Sequence, residues 1–275
     1  MTEERGMLKT MKVRIKFSKH GPLRFIGHLD IMRYFQKVFR RADVDISFSG
    51  GFSPHPIMSF AMALSVGVES NGEYLDIEMN SPIDMEDLKN TLNASMGEGV
   101  CIESCILLPD DAGNAMASVA AAGYYVRIRN GFSPKAGWDQ VISGFLSQDK
   151  IEVLKKTDKQ EFMIDLKDSI YDLRYVPKEE WKQKGNKIGS GDLDDEAVEN
   201  STVLYLMVNA SSSGNIKPVL LLTQLYSFAG EEADPYEFLI TRDDLYLNQG
   251  TKEEPVFAPL DSIGVEASEE DTDHE

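Results

Sequence analysis

The chain has 275 residues, 42% of them hydrophobic, so it can bury a substantial core and is expected to form one large domain or two medium-sized domains. No apolar run follows its charged N-terminal residues and no run of 18 apolar residues occurs, which argues against secretion and membrane spanning. The net charge of −18 does not exclude an anionic partner, because residues 1–60 carry a balance of +6 and the remainder −24.

The first part of the chain predicts the element order β-α-β-β-α-β. Its first strand, 11–17, alternates apolar side chains with Lys12, Arg14 and Lys16, which indicates a half-buried strand with a basic outer face. Apolar residues then recur at helical spacing from Leu29. The remaining predictions are extended segments at 44–48, 57–68, 73–79 and 100–108, and a helix at 82–96 capped by Ser81 or Asp84. This order is typical of a ferredoxin-like unit.

The most distinctive segment of the chain is 47–60, SFSGGFSPHPIMSF. Two glycines and two prolines surround His55 within it. Because glycine permits unusual backbone angles and proline restricts its own, the segment predicts a loop of defined shape with an imidazole at its tip.

The second part of the chain predicts a similar set of elements after an alanine-rich linker, 110–122. VRIK at 13–16 is echoed by VRIR at 126–129, and FSPH at 52–55 by FSPK at 132–135, which indicates a duplication. Strands are predicted at 124–129, 151–155, 161–166, 203–208 and 236–247, and helices at 138–146 and 218–228.

These patterns predict an α+β protein made of two tandem ferredoxin-like (βαββαβ) units. The N-terminal domain, 1–109, contains the GFSPHP motif, and the C-terminal domain covers 123–263. Residues 177–200 form a charged insertion, and 264–275 an acidic tail that we expect to be disordered.

The two cysteines, Cys101 and Cys105, are too few for a disulfide framework. Their spacing in a strand-like run places them about 13 Å apart on one face, which is too far for a mutual bond. A reducing, cytoplasmic location is therefore expected.

A candidate ligand-binding surface lies on the predicted helix that follows Leu29. Its basic residues recur at i, i+4 and i+7, with one more at the edge, and the His55 segment adds hydroxyl groups, so these side chains could converge on one anionic ligand. A solvated helix face is the alternative interpretation. The candidate residues are Arg33, Lys37, Arg40, Arg41, Ser53, His55 and Ser59.

The candidate catalytic residues are His55, His28 and Asp30. Three of the four histidines fall between His20 and His55, and a histidine could act as general acid or base on a nucleic acid or a phosphate. The three candidates could also ligate a metal, but no HxxxH or CxxC motif supports a metal site. Structural histidines, hydrogen-bonded to the backbone, are the alternative. No P-loop, dinucleotide fingerprint or CxxxCxxC motif occurs, so no cofactor is expected.

Residues 24–79 have the sequence RFIGHLDIMRYFQKVFRRADVDISFSGGFSPHPIMSFAMALSVGVESNGEYLDIEM. They resemble the radical-SAM-linked family, an uncharacterised bacterial domain. The resemblance covers 11–108 strongly and rests on HLD, the arginine pair, GFSPHP, SF and EYLDIE. Ile57 and Ser65 depart from the pattern, which often has a basic residue and a proline there. In that family the domain occurs beside a radical SAM enzyme or fused to one with a cobalamin-binding-like region.

The resemblance implies a non-catalytic partner or substrate-presenting module for a radical SAM enzyme, with RNA as a candidate ligand and the basic helix and His55 segment as its recognition surface. The alternative is a hydrolytic or phosphate-handling enzyme of the RNA-processing type, with His55 and His28 as acid and base.

Overall fold

A computed structural model of the chain describes residues 10–129, 132–156, 161–184 and 201–265. These residues form two compact units. The first comprises 10–66, 72–118 and 258–265, and the second comprises 67–71 and 119–257. This division differs from the predicted domains 1–109 and 123–263, because the first unit includes residues from near the C-terminus. The predicted tail, 264–275, lies outside the described residues except for 264 and 265, and Val265 pairs with Leu107.

The first unit has the predicted element order, on a sheet with strand order β4-β1-β3-β2. Strand β1 pairs antiparallel with β4, and β2 with β3. The second strand, β2, is shorter than the extended segment 57–68 that the sequence predicted. The other predicted segment, 44–48, forms only isolated bridges at Ile46 and Phe48. The elements are β1 (Met11–Lys19), α1 (His28–Arg41), β2 (Met58–Phe60), β3 (Glu69–Met79), α2 (Met85–Ala94), β4 (Val100–Leu107) and α3 (Ala115–Ser118).

Helix α1 is held on the sheet by its apolar stripe. Ile31, Phe35, Val38 and Phe39 are all buried at helical spacing. The ring of Phe35 meets that of Phe17 from β1 edge to face, with centroids 4.8 Å apart. The apolar stripe therefore fixes which side of α1 faces away from the core.

Helix α2 begins later than the predicted residue 82 because Asp84 is its N-cap. The Asp84 carboxylate accepts hydrogen bonds from the backbone N–H groups of Glu86 and Asp87. Ser81, the other predicted cap, instead donates its hydroxyl to Asp45.

The basic face that alternation predicts for β1 is exposed only at Lys12, whereas Lys16 is half-buried and Arg14 is buried. Arg14 is fully buried, and its Nε and Nη2 donate to the two carboxylate oxygens of Asp76 at 2.7 and 3.0 Å. The same guanidinium donates to the carbonyls of Leu260 and Gly113, at 3.0 and 3.2 Å. Asp76 also accepts from the backbone N–H of Ala115 at 2.6 Å. Segments 113–115 and 260–261 thus cover this face.

In the second unit the strands follow the order β10-β5-β9-β8, in which neighbouring strands are antiparallel. Residues Glu69 and Ser70 pair in parallel with Thr241 and Arg242 of β10. The elements are β5 (Ala121–Ile128), α4 (Trp138–Leu146), β6 (Glu152–Lys156), β7 (Glu161–Asp165), β8 (Ile170–Tyr175), α5 (Lys178–Lys184), β9 (Thr202–Asn209), α6 (Pro218–Phe228) and β10 (Phe238–Asn248), followed by β11 (Phe257–Pro259).

The predicted strands 151–155 and 161–166 exist, but as β6 and β7 they form a separate two-stranded sheet. The sequence prediction missed β8, which takes the edge position beside β9. It did not predict α5, which lies within the predicted charged insertion 177–200; the rest of that insertion, 185–200, lies outside the described residues. The protein is a mixed α/β protein with mostly antiparallel sheets. In the described ranges, no helix is long and apolar enough to cross a membrane.

Arg14→Met should destabilise the protein by about 3–5 kcal/mol, because it leaves the part-buried Asp76 carboxylate without its charged partner. Arg33→Met is the matched control, since Arg33 pairs with Asp30 on the surface and should contribute less than about 1 kcal/mol. Urea unfolding of both variants measures the difference. Equal, small losses would contradict a structural role for the buried pair.

Candidate functional site

Helix α1 exposes the basic residues that the sequence predicted as a ligand-binding surface. Arg33, Lys37, Arg40 and Arg41 are all exposed; we call these four side chains the basic face. Arg33 forms an exposed ion pair with Asp30 at 3.3 Å, and Arg41 donates to the carbonyl of Ser95 at 2.7 Å. Among the described residues, Lys37 and Arg40 have no ion-pair partner.

The basic face also fits the helix on which it lies. Arg40 and Arg41 occupy the last turn of α1, where cations interact favourably with the negative end of the helix dipole. The structure therefore gives this pair a stabilising role that does not need a ligand. Lys37 lies before that turn, so its position has no such explanation.

The His55 loop, residues 49–55, is closed by its first and last residues. The Ser49 N–H donates to the carbonyl of His55 at 2.9 Å, and the His55 N–H donates to the Ser49 hydroxyl at 3.1 Å. Gly51, with φ +98°, supplies the left-handed conformation that the turn requires. The composition predicted a shaped loop, and these bonds show how it closes.

The imidazole of His55 is oriented by the same serine. Its Nδ1 lies 2.8 Å from the Ser49 hydroxyl and 3.4 Å from the carbonyl of Ser53. Because Nδ1 is engaged within the loop, Nε2 is the ring nitrogen available to a ligand, and within the described residues it has no partner. The Ser53 side chain is exposed beside it in sequence.

The base of the loop is anchored to the residues that follow β3. Ser47 donates its hydroxyl to the side chain of Asn80, and Asn80 donates to Asp45 at 2.8 Å. The hydrogen bond from Asn80, and to a smaller extent that from Ser81, lowers the pKa of Asp45 below its usual range. These bonds fix both sides of the segment from which the loop projects.

Two exposed aromatic residues of this region were missed by the sequence predictions. Phe52 is fully exposed within the loop, and Phe48, just before it, is 58% exposed. A large apolar ring in a loop of Gly, Ser and Pro cannot be assigned to the core by periodicity. An aromatic residue in such a loop is the sequence feature that could have identified this surface, because exposed aromatic groups often mark interaction surfaces.

His28 lies in a different environment from His55. It is the first residue of α1, is half-buried, and its ring packs edge to face on Phe60 with centroids 5.4 Å apart. It lines a cavity of about 10 Å³ together with the buried Lys19 and Glu73, which is space for one water molecule.

The three catalytic candidates are not joined in the structure. No hydrogen bond, ion pair or ring contact of the described residues links His28 with His55, and Asp30 contacts Arg33 instead. Their role as acid and base stays a prediction. Within the same residues, no three His, Cys, Asp or Glu side chains are grouped so that they could hold a metal ion.

Ser59 lines a second, larger cavity. It lies on β2 directly opposite Asp76 of β3, and both residues line a cavity of about 210 Å³. The structure thus places Ser59 with Asp76, whereas Ser53 belongs to the His55 loop.

The fold and this surface define a mixed α/β protein with a basic helix face and a histidine loop closed by a serine. The chain belongs to the family described as "Uncharacterized protein conserved in bacteria (DUF2344)", which matches residues 12–218. The comparison with curated proteins found no match. A chain of the "Crystal Structure of a Cbf5-Nop10-Gar1 Complex" is similar with a TM-score of 0.42 and 10% identity, over 85% of this chain and 48% of that one.

Ser49→Ala should loosen the His55 loop without unfolding the protein. It removes the hydroxyl that accepts from the His55 N–H, so exchange of that amide hydrogen should become about fivefold faster, the equivalent of one hydrogen bond. Hydrogen exchange followed by NMR measures this rate. Ser53→Ala is the matched control, because Ser53 contributes only its backbone carbonyl; equal rates in the two variants would contradict the assignment.

Proposed function

We propose that this protein is a non-catalytic module that presents an anionic substrate, RNA, to a radical SAM enzyme. The observation that supports this most is the basic face of α1. The chain has 46 acidic residues, yet among the described residues none forms an ion pair with Lys37 or Arg40. An anionic ligand would supply the missing counter-charges.

The chemistry of the surface suits a nucleic acid. Arginine can bind a phosphate through two parallel hydrogen bonds, and lysine adds a point charge. The Nε2 of His55, oriented through Nδ1, can donate to another phosphate oxygen. The exposed ring of Phe52 can stack on an unpaired base, which is how many proteins hold single-stranded RNA.

The radical SAM enzyme as partner is proposed from the resemblance of residues 24–79 to the radical-SAM-linked family. Such an enzyme would supply the iron-sulfur cluster and the reaction, and this chain would supply substrate binding. A partner with a cobalamin-binding-like region is part of the same proposal.

We also propose that each unit is a ferredoxin-like fold, so that the chain is a tandem pair. In the first unit the order β1-α1-β2-β3-α2-β4 and the sheet order β4-β1-β3-β2 support this. In the second unit β5-α4-β8-β9-α6-β10 with the sheet order β10-β5-β9-β8 gives the same arrangement, with the β6-β7 hairpin inserted after α4.

A second candidate function is hydrolysis or phosphate transfer on RNA, with His55 and His28 as acid and base. The contact of 2.8 Å between the Ser49 hydroxyl and His55 Nδ1 favours it, since a hydroxyl held against an imidazole is the arrangement of an activated nucleophile.

Replacing Arg33, Lys37 and Arg40 with alanine should weaken RNA binding and flatten its salt dependence. For single strands the slope of log K against log salt is about −0.7 per phosphate contacted, so fewer contacts give a shallower slope. Fluorescence anisotropy with a labelled single-stranded RNA at several salt concentrations measures it. Exposed charges contribute little to folding, so the loss of stability should stay below about 1 kcal/mol.

The matched control for this triple variant replaces Lys150, Lys217 and Lys252, three exposed lysines of the second unit, with alanine. It changes the net charge equally but leaves the basic face intact, so its salt slope should equal that of the parent. If the two triple variants bind RNA alike, the basic face is only a solvated helix surface.

His55→Ala separates the two candidate functions. A recognising loop should lose RNA affinity, whereas an acid or base should lose rate while binding is retained. Binding by anisotropy and RNA cleavage by the protein alone are the two measurements. His55→Gln is the control, because its amide can replace the hydrogen bond of Nε2 but not its proton transfer; affinity restored by Gln supports recognition, and cleavage lost in both variants supports catalysis.

A further inference from the structure

A cavity that the proposed function leaves unused lies in the first unit. It has a volume of about 210 Å³, and its floor includes Met58 and Ser59 of β2 with Asp76 and Glu78 of β3. Residues 108–114 form another part of its lining, and Lys12 completes it. The cavity shares no residue with the basic face of α1.

The lining of this cavity is held in place by buried hydrogen bonds. Arg14 donates to the carbonyl of Gly113, and Asp76 accepts from the N–H of Ala115, so both ends of the pair Arg14–Asp76 bind the same segment. The N–H of Leu108 donates to the carbonyl of Lys12 at 2.9 Å. The cavity is therefore formed before any ligand enters, which lowers the cost of binding.

Two opposite charges line the cavity without neutralising each other. Glu78 is half-exposed, and its carboxylate has no hydrogen bond or ion pair among the described residues. The Lys12 ammonium makes only a long contact, 3.5 Å, with the carbonyl of Asp110. No ion pair joins Lys12 to Glu78, although both line the same space.

The rest of the lining is suited to a small amphipathic molecule. Ile57 and Leu108 provide apolar surface, whereas the side chain of Met58 packs against the core. The Ser59 hydroxyl has no partner among the described residues. A volume of about 210 Å³ is below the roughly 300–1,000 Å³ typical of pockets for drug-sized ligands.

We infer that this cavity binds a free amino acid with an apolar side chain. The α-ammonium group of the ligand meets Glu78 and Ser59, its carboxylate meets Lys12, and its side chain lies against Ile57 and Leu108. A zwitterion of this kind supplies each lining charge with its opposite, which neither a simple amine nor a simple acid does.

The probes are L-leucine, 4-methylpentanoate, which lacks the ammonium group, and 3-methylbutylamine, which lacks the carboxylate. Titration calorimetry on the full chain should show L-leucine binding at least about tenfold tighter than either analogue, the effect of one charge-assisted hydrogen bond. L-Methionine should bind similarly. These comparisons use the parent protein, so they do not depend on the folding of a variant.

Glu78→Gln should abolish the preference for L-leucine over 4-methylpentanoate, and Lys12→Met the preference over 3-methylbutylamine. Glu103→Gln, an exposed glutamate of β4, is the matched control and should bind L-leucine as the parent does. Absence of binding heat with both L-leucine and L-methionine overturns the inference. So does a Glu78→Gln protein that folds and still prefers L-leucine.

Discussion

The buried pair of Arg14 and Asp76 is the interaction on which the first unit most depends. A guanidinium with no solvent access is costly unless its donors are matched, and here they meet two carboxylate oxygens and the carbonyls of Gly113 and Leu260. Asp76 also accepts from the N–H of Ala115. One pair thus fastens two segments that are 246 and 99 residues away from Arg14 along the chain.

A second carboxylate extends this arrangement across the same strands. Asp261 accepts from the hydroxyls of Tyr74 and Ser104, at 3.1 and 2.8 Å, and lies 3.7 Å from the ammonium of Lys16. Two of the three basic residues on this side of β1, Arg14 and Lys16, are therefore engaged by acids, whereas Lys12 is exposed. Because Arg14 and Lys16 are engaged in this way, the exposed basic charge of the unit that is clustered lies on the outer face of α1, at Arg33, Lys37, Arg40 and Arg41.

Much of the local structure could be predicted from the sequence, because it depends on neighbouring residues. The apolar period of α1, the alternation of β1 and β3 and the cap at Asp84 are all local patterns. The burial of Arg14 is not local: alternation shows that Lys12, Arg14 and Lys16 share one side of a strand, but not that residues beyond 112 and beyond 259 return to cover it. The contact between Ser49 and His55 likewise depends on how the glycines turn, which composition alone does not determine.

The acidic net charge of −18 does not conflict with the proposal that α1 binds an anion. At physiological ionic strength, exposed charges are screened beyond about 8 Å, whereas α1, with 14 residues, is about 21 Å long. A phosphate in contact with Lys37 or Arg40 therefore responds mainly to its nearest charges, and distant carboxylates act weakly on it. The excess negative charge acts instead on the approach of the ligand, because it repels polyanions before they contact the basic face and so lowers their association rate. Binding would then select ligands by contact rather than by long-range attraction.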